Sequence, residues 1–461
     1  MTRNCSLDFR GPWNDTADTA FFSLAQSSPL HRNGRDERQS CTGLSCNRCD
    51  MKRDTKHARQ NGGGASLRQW VCTRHTEAGK VAMNKPEIRA LTGVRGLAAC
   101  LVVIYHFSST KDMAPGPLHN VVGRGYLWVD LFFVLSGFVI ALNYGHLFAA
   151  GFSRVAFATF LTRRVARIYP LYLVALLAGL IWGVVASDGF HATGDAVAST
   201  PSDVIQATAA NLTMVQSWGI SGSVVGTAWS ISTEWAAYLG FPLIAWVALF
   251  SHRFSAASVG LLAVASLVSV SIWDHHDMAY HSGALDAYDG TGPVPLIRCL
   301  AGFGLGVLAY RATRLRAVME LLSQDSAGIA LIGTLALMLV VGAPDLVVVA
   351  LFPPLILCLS ANRGIPARLF SYSVMFRLGT LSYAIYLLHP FFQRPARLLE
   401  AALAKVLPDA AAIPLTASLI SGALLGASVA AYVWIERPGR MFLRRLEARN
   451  RRHQPVASLQ G

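Results

Sequence analysis

Five residues suited to proton transfer lie inside long apolar stretches of this sequence: His106, Asp130, Glu234, Tyr386 and His389. An imidazole works as a general base near neutral pH, and a carboxylate beside it orients the ring and stabilises its charged form. A second set, Arg95, Arg163, Arg164, Arg167 and Tyr169, is dominated by guanidiniums, which hold phosphate through bidentate hydrogen bonds. Ionisable side chains inside a bilayer are costly and mark either function or pairing. The two sets together suit transfer from a cytoplasmic anionic donor to an outward-facing acceptor. Blander roles exist for each member. A lone His in a span also serves as a helix–helix hydrogen-bond partner, Asp130 or Glu234 can be a paired structural carboxylate, and the arginines can be topology determinants.

The elements that must position these residues are membrane spans. Of the 461 residues, 53% are hydrophobic and 14% charged, where a soluble domain carries about 25% charged. Mean hydropathy is +0.41. Apolar runs fall near 91–109, 124–143, 168–187, 228–250, 256–273, 294–312, 325–342, 345–361, 376–393 and 412–435. Their length suits helices that cross a hydrocarbon core, and the short alternating segments of an outer-membrane barrel are absent. The expected fold is therefore all-α, a polytopic integral membrane protein with about ten transmembrane helices. The formal net charge of +14 does not indicate nucleic acid, because the arginines flank the apolar runs, as the positive-inside rule dictates.

Charge also fixes direction. Arg154–Arg167, Arg311–Arg316, Arg363–Arg377 and the arginines after 436 should be cytoplasmic, whereas loops 188–203 and 274–293 carry neither Lys nor Arg. All basic loops but one land inside if the weaker stretch 203–218, with Gln206, Asn211, Thr213 and Gln216, does not cross. It is expected to be an outer-face or re-entrant helix. The exception is loop 394–411, with Arg394, Arg397 and Lys405 outside. Both termini are then cytoplasmic, in the cell's inner (plasma) membrane. In this topology Arg95 lies at the inner end of the first span. His106 lies about 16 Å further out, in an outer layer with Asp130, Glu234, Tyr386 and His389.

Residues 1–82 are polar and Arg-rich, with no signal peptide, and read as a disordered extension that precedes a natural start at Met83. Five of the eight cysteines lie there. The spacing of Cys41, Cys46 and Cys49 fits no standard zinc finger, so no metal site is expected. Residues 83–445 form the membrane domain and 446–461 a basic cytoplasmic tail.

Six strings occur in order along 88–445: Arg89-Ala-Leu-Thr-Gly-Val-Arg-Gly-Leu-Ala-Ala running into Val103-Ile-Tyr-His-Phe107; Val129-Asp-Leu-Phe-Phe-Val-Leu-Ser-Gly-Phe138; Arg163-Arg-Val-Ala-Arg-Ile-Tyr-Pro170; Trp229-Ser-Ile-Ser-Thr-Glu234; Leu378-Gly-Thr-Leu-Ser-Tyr-Ala-Ile-Tyr-Leu-Leu-His389; and Glu436-Arg-Pro438. Together they resemble the acyltransferase-3 family of membrane O-acyltransferases. The resemblance implies transfer of an acyl group, commonly acetyl from acetyl-CoA, to a hydroxyl of a carbohydrate or other envelope substrate. No bound cofactor is implied; acyl-CoA is the donor substrate. The partners are a carbohydrate or lipid-linked glycan acceptor and the bilayer, with no nucleic acid.

The family's Arg and His, separated by ten residues, match Arg95 and His106. Its Arg-x-x-Arg pair matches Arg164 and Arg167, and its Glu matches Glu234, which Thr233 directly precedes here. His106, Glu234 and Asp130 become the expected catalytic set, and Arg95, Arg163, Arg164 and Arg167 the donor-binding set. Tyr169, Trp229, Ser232, Tyr386 and His389 are supporting residues. His106 either removes the acceptor's proton or carries the acyl group briefly. A secondary transporter of a sugar or organic anion is the alternative, but it predicts half-to-half repeats that are not evident.

Overall fold

The computed structural model describes residues 88–108, 113–185, 201–272, 283–288 and 292–452. The expected extension 1–82, its cysteines, the Met83 start and the last nine residues of the tail lie outside these. The described chain is helical throughout, as buried backbone in a hydrocarbon solvent requires.

Helix α1 (Arg89–Phe107) opens the membrane domain, and the short α2 (Pro117–Gly123) leads into α3 (Trp128–Tyr144). Then come α4 (Arg154–Val185), α5 (Pro201–Leu212), α6 (Trp229–Ala245), α7 (Arg253–Ile272) and α8 (Val294–Ala312). The second half holds α9 (Arg316–Leu322), α10 (Asp325–Val340), α11 (Asp345–Ala350), α12 (Phe352–Ala361) and α13 (Ile365–Ser371). It ends with α14 (Ser373–Leu388), α15 (Pro390–Leu403), α16 (Asp409–Ala431) and α17 (Arg437–Arg452).

Among the described residues, seven stretches are long and apolar enough to cross a membrane, and up to nine if two bent helix pairs each count as one span. The bends are 74° between α9 and α10 and 90° between Ala361 and Ile365. The tenth expected span corresponds to α14, which has 16 residues and continues past His389 into α15. Its sequence expectation ran to 393, across the Pro390 that starts the next helix.

Residues 203–218 do not cross. Helix α5 has 12 residues, about 18 Å against the ~30 Å of a hydrocarbon core. The chain then turns at Met214, whose φ is +58°, and Gln216 is fully buried. Gln216 donates to Tyr172 Oη and to the Ala228 carbonyl, both at 3.3 Å. Tyr169 and Tyr172 of α4 donate to the carbonyls of Leu212 and Asn211 at 3.1 and 2.6 Å. The segment is thus pinned against α4 and α6, with Asn211 and Gln216 turned into protein while Gln206 and Thr213 stay exposed.

Two close helix crossings organise the interior. Gly96 of α1 and Gly379 of α14 meet backbone to backbone, so a side chain at either would collide with the partner's main chain. Gly137 of α3 and Gly306 of α8 form the second such contact. Small residues that admit close backbone approach are how membrane helices gain packing without a hydrophobic drive between them. Between α1, α14 and α16 lies a core of Ala99, Leu381, Ile385 and Leu424. Outward, large apolar side chains are exposed, such as Leu261, Ile272 and Trp434, as expected of a lipid-facing surface.

Candidate active site

His106 sits in the last turn of α1, and its Nδ1 is 2.9 Å from the Val102 carbonyl. A carbonyl only accepts, so Nδ1 carries the hydrogen and neutral His106 keeps its lone pair on Nε2. The ring is exposed in a region otherwise crowded by protein. Its neighbour is His389, at the α14–α15 junction, with ring centroids 4.9 Å apart. His389 is fully buried, and neither ring nitrogen has a hydrogen-bond partner of good geometry among the described residues. Such a group normally finds a partner, which sets His389 apart from the other buried polar side chains of this region.

Neither expected carboxylate faces His106. Asp130, in the first turn of α3, forms a two-point ion pair with Arg298 of α8: Nε to Oδ1 at 2.9 Å and Nη2 to Oδ2 at 2.6 Å, both side chains fully buried. Arg298 also donates to the carbonyls of Ala287 and Tyr126, at 2.9 and 3.1 Å, and lies over the Trp229 ring. Asp130 is therefore a structural anchor, and Trp229 covers that anchor. Arg298 was legible in principle: an Arg inside the apolar run 294–312, thirteen residues before the flanking Arg311, demands a buried carboxylate.

The carboxylate held next to the end of α1 among the described residues is Asp286, from the stretch 283–288. Tyr105 Oη donates to Asp286 Oδ2 at 2.9 Å. No spacing rule points to it, because only tertiary packing brings this segment to the end of α1.

Glu234 lies further along. It accepts a hydrogen bond from Ser136 of α3 and is coupled to the Tyr238 hydroxyl, one turn on in α6. That hydroxyl accepts from Arg164 Nη2 at 2.9 Å, and the guanidinium also lies over the Tyr238 ring. Arg164 Nε is buried with no hydrogen-bond partner among the described residues. Glu234 thus belongs with the arginines and not with His106, which corrects its expected place in the outer layer. The physical reason is α4: at 32 residues it carries Arg164 well into the helix bundle.

Arg167 is coupled to Arg440 and Glu436 from the end of the chain. Glu436 is buried and pairs with Arg440, and Gly439 rests on the Pro170 ring. The Arg163–Pro170 and Glu436–Pro438 strings therefore meet. Arg95 donates to the Gly379 carbonyl at 2.8 Å. Arg163 points elsewhere: it is 40% exposed and sits 3.6 Å from Glu447.

A polar line joins the two ends. Ser230, Glu234 and Tyr238 follow one another at four-residue spacing on one face of α6. Ser230 Oγ is 2.7 Å from Tyr386 Oη, and the Tyr386 ring stands 6.0 Å from His389. His106, His389, Tyr386, Ser230, Glu234, Tyr238 and Arg164 so form a continuous series. Ser232 serves the re-entrant segment, accepting from the Ser217 amide at 3.2 Å, while its carbonyl accepts from the Trp218 indole. Among the described residues no group of three or more His, Cys, Asp or Glu side chains is placed to hold a metal ion.

The chain belongs to the acyltransferase-3 family, described as an acyltransferase domain, whose profile matches residues 88–434. It is similar to the acyltransferase MdmB of Streptomyces mycarofaciens, 32% identical over 164 residues, which cover 33% of this chain and 38% of that protein. It also resembles protein 2 in the picA locus of Rhizobium radiobacter, 43% identical over 86 residues, or 19% of this chain and 40% of that one. A third relative is YrhL of Bacillus subtilis (strain 168), provisionally named a peptidoglycan O-acetyltransferase, 27% identical over 191 residues, or 40% of this chain and 28% of that protein. The matches thus span less than half the length of these relatives. No solved structure matches the chain.

Proposed function

We propose that this chain is a membrane O-acyltransferase. It moves an acyl group, acetyl in the simplest case, from cytoplasmic acyl-CoA to a hydroxyl of a cell-envelope carbohydrate or related glycosylated acceptor. The observation that carries this reading is the polar series from Arg164 to His106. An anionic, elongated donor needs cations at one end and a base at the other. Acyl-CoA has that shape, with phosphates on the nucleotide and a thioester at the tip of a long arm.

Arg164 and Arg167, with Arg95 at the inner end of α1, take the phosphates through charge-assisted hydrogen bonds. The unpartnered Arg164 Nε supports this assignment. The arm follows the Ser230–Glu234–Tyr238 face towards His106. There the acceptor hydroxyl loses its proton to His106 Nε2 as its oxygen attacks the thioester carbonyl carbon. The tetrahedral intermediate collapses, the C–S bond breaks, and the proton passes from Nε2 to the CoA sulfur. The acyl group leaves as an ester of the acceptor. The YrhL name and the family favour a carbohydrate acceptor. The site lies in the inner membrane, with both termini cytoplasmic and segment 274–293 outside.

The test is acetyl transfer by the purified chain in nanodiscs, with radiolabelled acetyl-CoA and extracted envelope glycans, beside mass spectrometry of surface polysaccharide with and without the gene. Label appearing in glycan ester supports the reading. Transport of an intact sugar or anion without ester formation overturns it. Orientation is tested separately: a cysteine at Ser282 should label with an impermeant maleimide in intact cells, and one at Thr313 should not.

A further inference from the structure

Segment 283–288 is held with unusual rigidity for a connection. Leu285 and Ala287, on either side of Asp286, are fully buried. The Leu285 amide donates to Asp345 Oδ2 at 2.8 Å, and the same oxygen accepts from Tyr126 Oη at 2.7 Å. The Ala287 carbonyl accepts from Arg298, whose own charge Asp130 neutralises. The Asp286 amide closes a turn onto the Gly283 carbonyl at 3.1 Å. Backbone on both sides of one acidic residue is thus fixed by two buried carboxylate-centred networks. Only 3% of Asp286 is exposed, and its carboxylate takes the Tyr105 hydroxyl, on the residue just before His106.

We propose that Asp286 is the positioning residue of His106: clamped by Tyr105 and by the anchored 283–288 backbone, its carboxylate stabilises the imidazolium that His106 becomes on taking the acceptor's proton. This rests on the acyl-transfer reading above, with His106 as base. The division of labour follows from the geometry. The Val102 carbonyl fixes the tautomer by accepting from Nδ1, so Asp286 is not needed for orientation through that nitrogen. What remains for a preorganised carboxylate is charge stabilisation, which is strongest where water is scarce. Among the described residues the groups beside His106 are few. Tyr105 stands on its own helix, its ring 5.0 Å from the imidazole and Tyr126 behind it, His389 comes from the α14–α15 junction, and Asp286 reaches this corner through its bond to Tyr105. His389 carries no negative charge and opposes a second positive one, so the stabilising charge falls to Asp286.

The experiment compares wild type, Asp286→Asn, Asp286→Glu and Tyr105→Phe in nanodiscs, with kcat and the KM for acetyl-CoA followed from pH 5 to 9. In Asp286→Asn, kcat should fall about tenfold or more at unchanged KM. The rising limb of kcat should move to lower pH by about 0.5–1 unit, because a base without its carboxylate deprotonates more readily. Tyr105→Phe should shift the limb less in the same direction, and Asp286→Glu should restore part of it. Nitrogen-15 NMR titration of His106 in the same samples should show the same displacement without turnover. A limb and an NMR titration that stay in place in Asp286→Asn overturn the proposal, even if kcat falls, since a merely structural role moves neither. If Asp286→Asn does not assemble, Tyr105→Phe decides by the same two readouts. Full transfer by His106→Ala would instead sink the acyl-transfer reading itself.

Discussion

The two ends of the polar series are built on opposite electrostatic plans. Around His106 each buried or part-buried guanidinium has its carboxylate: Arg298 is matched by Asp130 in a fully buried two-point pair, and Arg124 lies 3.9 Å from Asp345. At the other end three guanidiniums, Arg164, Arg167 and Arg440, gather near two carboxylates, Glu234 and Glu436. Balance in a buried region costs least and fixes geometry, whereas a surplus of cations persists where an anion is to be received. The comparison assigns rigidity to the base and affinity to the arginines. It also explains why an intramembrane carboxylate such as Asp130 need not be catalytic.

The sharpest way to break this division is His106→Ala. Turnover should fall by roughly 10²–10⁴, the usual worth of a general base. Acetyl-CoA affinity should change less than about twofold, since no phosphate contact is lost. Calorimetric binding in nanodiscs beside the transfer assay checks both. Loss of donor binding would merge the two ends into one pocket.

Asp130→Ala should act on the fold. It leaves Arg298 buried without its partner, at a cost of about 3–5 kcal/mol, read as a large drop in thermal stability in detergent. The double variant Asp130→Leu with Arg298→Met removes both charges and should regain much of that stability. Transfer should stay low in the double variant, because the Ala287 and Tyr126 carbonyls lose their donor and segment 283–288 loosens. Restored activity alongside restored stability would show that the segment does not matter to His106.

Arg164→Ala and Arg167→Ala test the other end. Each removes a charge-assisted phosphate contact worth about 1.5–3 kcal/mol, a rise of roughly 10- to 150-fold in acetyl-CoA Kd when the contact is desolvated. The transfer rate at saturating donor should hold. Equal affinity in wild type and both variants would remove the arginines from donor binding.

Much of this was readable before any coordinates. The apolar runs map in order onto seven to nine candidate spans and the shorter α14, because length and hydropathy largely decide what can cross a bilayer. The polar residues of 203–218 and the charge sides of its neighbours foretold a segment that does not cross. Depth was less legible. It assumes straight spans of equal reach, and the 32-residue α4 breaks that assumption by bringing Arg164 to the level of Tyr238. Tyr238 itself was one turn from Glu234 and could have been read from helical periodicity. Arg298 announced itself as a charge inside a span, away from the flanking Arg311. Asp286 left no trace, since its role depends on two networks contributed by α3, α8 and α11.

The smallest expected effect belongs to Arg163, and it sharpens the comparison most finely because Arg163 adjoins Arg164 in sequence. One position along a helix turns a side chain by about 100°, so the two face different surroundings. Arg164 is directed at Tyr238, while Arg163, 40% exposed, reaches Glu447 at 3.6 Å. An exposed pair of this kind contributes about 0–1 kcal/mol. Arg163→Ala should therefore leave acetyl-CoA affinity and turnover within about twofold and stability nearly unchanged, with the small stability difference vanishing in high salt. A donor-binding loss as large as that of Arg164→Ala would mean that phosphate is held by charge density across the whole Arg163–Arg167 turn. The directed contacts on one face of α4 would then have no special part in binding, and the contrast between the two ends would rest on charge alone.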